Sequence, residues 1–394
     1  MARKILVAII EPVGGHAGMD YYDFGLCRGL LAAGCGVSLY TCDETVEPEI
    51  IGLRFCPTYK RIYGPGNRWI RACRYFSGSV AAIAKAVANG EKVCHLHLFH
   101  GELQELALVV FSKLCGRKLI ITVHDVESFS PVAISRKVIA RIYRLADRFV
   151  VHNQVCKREL VEKLGVVPAR IEVVPSGNYM NEAREGSNPV QARRELGVTE
   201  RNRVVLFFGQ IKEVKGLDIL IEAIPEVARY IPEVTLLIAG RPWRDDFSSY
   251  ERLIDNLGIR DRCVLHIRYI PNEELGLYFA AADVVVLPYR RIYQSAVILM
   301  AMSYGRPVVV SDLPGMTEMV TDGQNGYVFV QESKDALSEQ LIRVLQDEQG
   351  REAVAARAAE YVRQNNSWEQ IGIQTTMLYR AVLSNKSPRS PHFD

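Results

Sequence analysis

No two of the nine cysteines stand in a Cys-x-x-Cys pair, and none of the usual zinc spacings occurs. An odd number of thiols without a disulfide framework fits a reducing compartment. Cys94 in VCHLHLF and Cys263 before VLHI are expected to pack as small hydrophobes. Nor is there an apolar stretch of the ~18–20 residues that a membrane span needs. The first apolar run, Ile5–Ile10, stops at Glu11 after six residues, too short for a secretory leader. These absences point to a cytoplasmic chain. A large excess of either charge is also missing: 48 Lys+Arg stand against 45 Asp+Glu, a net +3. No nucleic-acid partner is therefore expected. What remains is ordinary globular material, 48% apolar and 24% charged, so the chain as a whole is not disordered. Its 394 residues give room for two or three domains of about 100–200 residues.

Acidic residues are absent from one long stretch. Between Ile50 and Gly90 the only charges are Arg54, Lys60, Arg61, Arg68, Arg71, Arg74 and Lys85. Residues 1–180 hold 23 Lys+Arg and 16 Asp+Glu, whereas residues 181–394 hold 25 and 29. The basic excess thus belongs to the N-terminal half. Lys137, Arg141, Arg144 and Arg148 recur at helical spacing, with Val138, Ile139, Ile142 and Leu145 free to face inward. Such a surface is either an ordinary solvated helix face or one that attracts anionic lipid or a phosphate-bearing acceptor.

Short apolar runs alternate with helical patterns throughout. Lys4–Ile10, Val37–Cys42, Val93–Phe99, Lys118–Val123, Arg148–His152 and Ile171–Pro175 read as strands. After a linker within Gly177–Asn202 the pattern restarts with Val204–Phe208, Val234–Ala239, Val264–Ile270, Asp283–Leu287 and Pro307–Val310. From Ser333 the chain reads as helical to about Leu383, and Asn385–Asp394 as a polar tail. Near-continuous apolar strands joined by helices predict parallel sheets covered on both faces. The expected fold class is α/β, with two Rossmann-like, doubly wound domains: 1–180 and 181–365, then a helix at 366–385.

Open α/β sheets bind ligands at the carboxyl ends of their strands. The first strand runs into Glu11-Pro12-Val13-Gly14-Gly15-His16-Ala17-Gly18. That spacing is not G-x-G-x-x-G, which disfavours a nicotinamide enzyme. Another strand ends in Thr122-Val123-His124-Asp125, where the imidazole is either structural or a hydrogen-bonding group for a ligand hydroxyl. His95 and His97 share a strand face with His100 nearby, but no Cys or acidic ligand accompanies them, so no metal site is expected. The second half opens with Phe208-Gly209-Gln210-Ile211-Lys212-Glu213-Val214-Lys215-Gly216. A strand ending in glycine and a loop carrying lysines into a helix suit a diphosphate. At Ser295-Ala296-Val297 a helix begins, and its first amides could meet a phosphate.

In their order and spacing, Thr122–Asp125, Val174–Gly177, Phe208–Gly216, Ala301–Val309, Glu318 and Asp322–Gly326 resemble the family-4 glycosyltransferases of the GT-B fold. The resemblance implies two domains facing a cleft, with the C-terminal helix crossing back to the N-terminal domain. It also implies retaining transfer of a sugar, glucose-like, from a nucleotide-diphosphate donor, with UDP favoured. The N-terminal domain would hold the acceptor, a polysaccharide or lipid-linked glycan, and the C-terminal domain the donor; the basic N-terminal half adds the expectation of an anionic membrane surface, with the chain as a peripheral protein. By the same resemblance Lys215 contacts the diphosphate, His124 lies near the donor sugar, and Gly14 and Gly15 near donor phosphate or acceptor. The Tyr269-Ile270 backbone would meet the base, and Glu318 would belong to the donor site. No cofactor and no metal are implied, and the sequence has no Asp-x-Asp.

Three positions depart from the family pattern. Gln210 replaces the usual arginine after Gly209, with Lys212 close enough in sequence to substitute. Ile292 and Met300 occupy the places of the paired glutamates. Tyr293-Gln294-Ser295 replaces a Gly-Phe-Gly turn. The alternative to an active enzyme is therefore a catalytically degenerate GT-B partner subunit.

Overall fold

The computed structural model describes residues 4–16, 19–64, 66–98, 102–124, 126, 136–183, 188–243 and 246–384. Ala17, Gly18, Phe99, His100, Asp125, residues 184–187 of the linker and the tail Asn385–Asp394 lie outside them. The chain divides into two compact units, Met1–Gly177 with Ser367–Asp394, and Asn178–Asn366.

The first unit is built on seven strands: β1 (Leu6–Ile10), β2 (Gly36–Cys42), β3 (Arg54–Tyr59), β4 (Val93–Leu98), β5 (Lys118–Val123), β6 (Arg148–Val151) and β7 (Ile171–Val173). Every pairing is parallel, in the order β3-β2-β1-β4-β5-β6-β7. The apolar runs of β1, β4 and β5 are buried on both faces because helices cover the sheet on each side. β3 is the strand that pattern reading missed. It contains Pro57 and begins with a charged residue, features tolerated because it is an edge strand.

The helix Trp368–Leu383 belongs to this unit and crosses the helix Asp20–Ala32. The crossing is close because glycine faces it. A Cβ on Gly29 would stand 2.0 Å from the Trp368 carbonyl oxygen, and one on Gly25 would stand 2.1 Å from the indole. Trp368, Ile371, Leu378, Tyr379 and Val382 thereby join the core formed by β1, β2, β4 and β5.

The basic helix Arg136–Leu145 is shorter than its charge spacing implied. Lys137, Arg141 and Arg144 are exposed on it, above buried Val138 and Ile142, while Ile139 and Leu145 are half-buried. Arg148 is not on that face, because it opens β6.

The second unit has β8 (Arg203–Phe208), β9 (Val234–Ala239), β10 (Cys263–His266), β11 (Val284–Leu287), β12 (Val308–Ser311) and β13 (Tyr327–Phe329). They form a parallel sheet in the order β10-β9-β8-β11-β12-β13. β10 ends at His266, so Tyr269 and Ile270 lie in the loop after it rather than in the strand. At the start of the sheet Asp283 accepts from the Val204 amide at 2.7 Å and pairs with Arg193 at 2.8 Å. The run from Ser333 is three helices, Lys334–Gln346, Glu348–Asn365 and Trp368–Leu383.

Trp368→Ala should empty the space between Gly25 and Gly177, where an added Cβ at either glycine would stand 2.1 Å from the indole. We expect a loss of about 3–5 kcal/mol in urea unfolding of the full chain. A loss under about 1 kcal/mol would show that the helix is peripheral to the unit.

Candidate functional site

In each sheet the strand order reverses once: between β1 and β4, and between β8 and β11. Connections leave such a point in opposite directions, so a crevice opens at the strand ends. The chemically equipped residues gather at these two places.

In the first unit β1 runs into buried Glu11 and a single turn, Gly14–His16. The Glu11 carboxylate accepts from the Val13 amide at 2.8 Å and from the Gly14 amide. The Gly15 amide donates to Thr45 Oγ1 at 3.0 Å. The loop's own amides are thus anchored downward, which fixes its backbone. Asp23 is fully buried beside Glu11, and burial pushes both carboxyls well above the usual range, with Asp23 adding to the rise at Glu11. Both carboxyls are thereby harder to ionise than a surface carboxylate.

Around them stands a buried group of rings that only the fold brings together. His124, directly after β5, meets Tyr22 at 5.1 Å, His97 at 5.4 Å and His152 at 5.1 Å between ring centres. His97 Nδ1 lies 3.1 Å from Asp23 Oδ1. His95 is fully engaged, by the Tyr379 hydroxyl at 2.7 Å and Thr122 Oγ1 at 2.7 Å. His152 Nδ1 donates to the Val174 carbonyl at 2.9 Å. Burial holds His97 and His152 down to about 4, and drives His95 and His124 well below the usual histidine value. His124 is therefore a neutral imidazole near pH 7, suited to hydrogen bonding with a hydroxyl rather than to acting as a cation. Among the described residues no three His, Cys, Asp or Glu side chains converge as metal ligands.

In the second unit Gly209 follows β8 with φ +104. Its carbonyl would lie 1.8 Å from a Cβ on Gly240, so the loops after β8 and β9 touch backbone to backbone. Lys215 ends the turn Glu213–Lys215, immediately before the helix Leu217–Tyr230. Its ammonium sits 3.7 Å from the centre of the Tyr289 ring, and the Tyr289 hydroxyl lies 3.4 Å from Ser295 Oγ. Ser295 occupies the N-cap position of the helix Ala296–Ser303, without a side-chain cap hydrogen bond. Gly209 faces Val297, whose Cγ2 would be 3.5 Å from a Cβ there. A clamp joins the two loops: Arg290 takes both Asp218 oxygens at 2.8 and 2.7 Å, and its amide donates to the Val214 carbonyl at 2.9 Å. Burial opposes ionisation of Asp218, but the Arg290 hydrogen bonds prevail and hold its pKa below the usual value.

Gly209, Lys215, Ser295, Ala296 and Val297 are thus gathered at the β8/β11 reversal. Gln210 is half-buried beside them. Lys212 stands over the Trp243 ring at 4.5 Å, toward β9 rather than over Tyr289. Tyr269 is exposed under Arg241 at 5.9 Å and Ile270 is buried, both beyond the outer strand β10. Glu318 is exposed after β12, at the end of the short turn Pro314–Thr317. Gly14, Gly15 and His124 belong to the other unit. Sequence reading missed Glu11, Asp23, Tyr22 and His152 in the first unit, and Tyr289 and Trp243 in the second. A carboxylate ending the apolar β1 run was a signal for Glu11; nothing local marked the rest.

Two parallel sheets, each with one reversal of strand order, define an α/β protein of two Rossmann-like units. The Glycosyltransferase Family 4 model matches residues 18–178, and the Glycosyl transferases group 1 model matches residues 191–361. The chain belongs to these family-4 glycosyltransferases of the GT-B fold. It is 26% identical to a D-inositol 3-phosphate glycosyltransferase of Nocardioides sp., over 94% of this chain and 86% of the relative. An enzyme of the same name from Salinispora tropica is 28% identical over 97% and 85%. The fold is shared with sucrose-phosphate synthase of Thermosynechococcus elongatus, with TM-score 0.78 and 21% identity over 97% of this chain and all of that one. It is shared also with Anabaena HepE in complex with UDP-glucose, with TM-score 0.73 and 18% identity over 96% and 100%.

The buried imidazoles make the first unit acid-sensitive. His152 protonates below about 6.5 when unfolded but only near 4 when folded. The unfolded chain therefore binds more protons between those values. This contribution to stability is complete above 6.5 and is lost as pH falls toward 4. His152→Gln should remove that dependence. The stability gap between wild type and variant, measured by urea unfolding, should shrink from pH 7 to pH 4.5. A constant gap would overturn this reading.

Proposed function

We propose that the chain is a retaining, metal-independent hexosyltransferase that moves a glucose-like sugar from a UDP-linked donor to a glycan or lipid-linked acceptor. The observation that carries this reading is Lys215, held over Tyr289 beside the Ser295 helix start at the reversal of the second sheet. A cation and free helix-start amides at one strand end suit a departing diphosphate. The fold neighbour HepE, solved with UDP-glucose, supports the donor class.

The bond between the anomeric carbon and the diphosphate oxygen breaks, and its electron pair goes to the diphosphate. Lys215 and the amides of Ala296 and Val297 offset that charge. The acceptor hydroxyl attacks from the same face, and its proton passes to the diphosphate oxygen. Neutral His124 hydrogen-bonds a sugar hydroxyl from the first unit, while Gly14 and Gly15 offer a rigid backbone to donor phosphate or acceptor. Gln210 and Lys212 flank the diphosphate, the Tyr269-Ile270 backbone meets the base, and Glu318 borders the donor sugar. The relatives' name makes a phosphate-bearing acceptor a further candidate within the same reaction class.

The second reading, a degenerate partner subunit, is favoured by Ile292 and Met300, neither of which can bind a ribose hydroxyl. One experiment separates the two. Thermal shifts are measured with UDP, GDP, ADP and UDP-sugars, with and without EDTA. An enzyme should be stabilised by one nucleotide irrespective of EDTA, by about 2.7 kcal/mol at a hundredfold excess over Kd. Lys215→Ala should abolish that shift and lower kcat/KM by about 10²–10³-fold. No shift with any nucleotide would support the partner reading.

A further inference from the structure

The helix Arg68–Ala88 has a face that the strand-end sites do not explain. Gly78, Ser79, Ala82, Ile83 and Ala86 are buried against the sheet. The opposite side is exposed and apolar. Trp69, Cys73, Phe76, Ala84 and Val87 fall on one helical stripe, with Trp69 68% and Phe76 55% exposed. Ile70 stands beside it, also exposed. The helix has no acidic residue, and Arg68, Arg74 and Lys85 are exposed along it. The Arg68 guanidinium lies over the Trp69 ring at 5.0 Å.

Two further helices continue this layer side by side. Leu103–Leu114 exposes Val110 and Leu114, the latter 80% exposed. Arg136–Leu145 exposes Lys137, Arg141 and Arg144. An exposed apolar stripe about 27 Å long, with Trp69 and Phe76 in it and only Arg and Lys as the charges of its own helix, has the composition of a helix lying in a lipid headgroup layer.

We propose that this helix layer docks on an anionic lipid bilayer, with Trp69, Phe76 and Val87 entering the headgroup–acyl boundary and the basic residues facing lipid phosphates. Charge complementarity selects this occupant. A second copy of the chain would bring like charges together across a two-fold axis. A polyanion without acyl chains would engage the arginines and leave the Trp69–Val87 stripe in water. The surface does not depend on the donor chemistry, so a chain that bound no nucleotide would still dock.

The test is flotation of the full chain with vesicles of phosphatidylcholine, alone or mixed with phosphatidylglycerol. The chain should float with the mixed vesicles at low salt and less so at high salt. Arg68→Gln, Arg74→Gln and Lys85→Gln should each weaken binding about fivefold. The triple variant Trp69→Ser/Ile70→Ser/Phe76→Ser should abolish flotation while keeping the wild-type circular dichroism and thermal midpoint. Brominated phosphatidylcholine should quench tryptophan fluorescence in the bound wild type, and Trp69→Phe should float yet lose that quenching. No flotation with the mixed vesicles, or flotation unaffected by the triple variant, overturns the proposal. So does a wild-type dimer in size exclusion that the triple variant converts to monomer, because the stripe then meets a second copy.

Discussion

A parallel sheet whose strand order reverses must leave its strand ends uncovered at the reversal, since the chain departs from that point to either side. This constraint governs both units. In the second, the loops after β8 and β11 share the gap, and the chain ties them together by Arg290–Asp218 and by Lys215 on Tyr289. In the first, the loop after β1 is tied from below by Glu11 and from the side by Thr45. Both solutions hold the loops at the gap in fixed positions by contacts made from behind.

The departures from the family pattern take on physical meaning in this frame. Where the family has a Gly-Phe-Gly turn, Tyr293 is buried, and Gly315 lies close to the carbonyls of Ile292 and Tyr293. The turn is set by packing rather than by glycine's freedom. Met300 is half-buried on the helix that follows Ser295. An apolar side chain replaces a charge there without breaking the helix start, so loss of the glutamate leaves the helix-start amides intact.

Much of the fold was legible because its strands are self-announcing. The apolar runs ending at Ile10, Val123 and Phe208 need nothing distant to be recognised, and the Phe208–Gly216 loop advertises itself by glycine and lysine. Other features were silent for a physical reason. β3 carries a proline that an edge position excuses, and β13 is three residues long. Arg148 continued a helical charge spacing across a boundary set by strand pairing. The buried histidines are held by long-range partners: His95 meets Tyr379, 284 positions away. Periodicity placed His95 and His97 on one face but could not reveal Asp23 or Tyr22 opposite.

The seat of Lys215 has a kinetic consequence. Among the described residues this ammonium makes no ion pair; it rests on the π face of a tyrosine. A lysine held by a carboxylate would present an almost neutral pair, and an arriving anion would first have to displace the partner. Here no carboxylate has to be displaced from the ammonium before an anion meets it. For the diphosphate donor proposed above, the association rate should therefore depend on ionic strength more steeply than the dissociation rate.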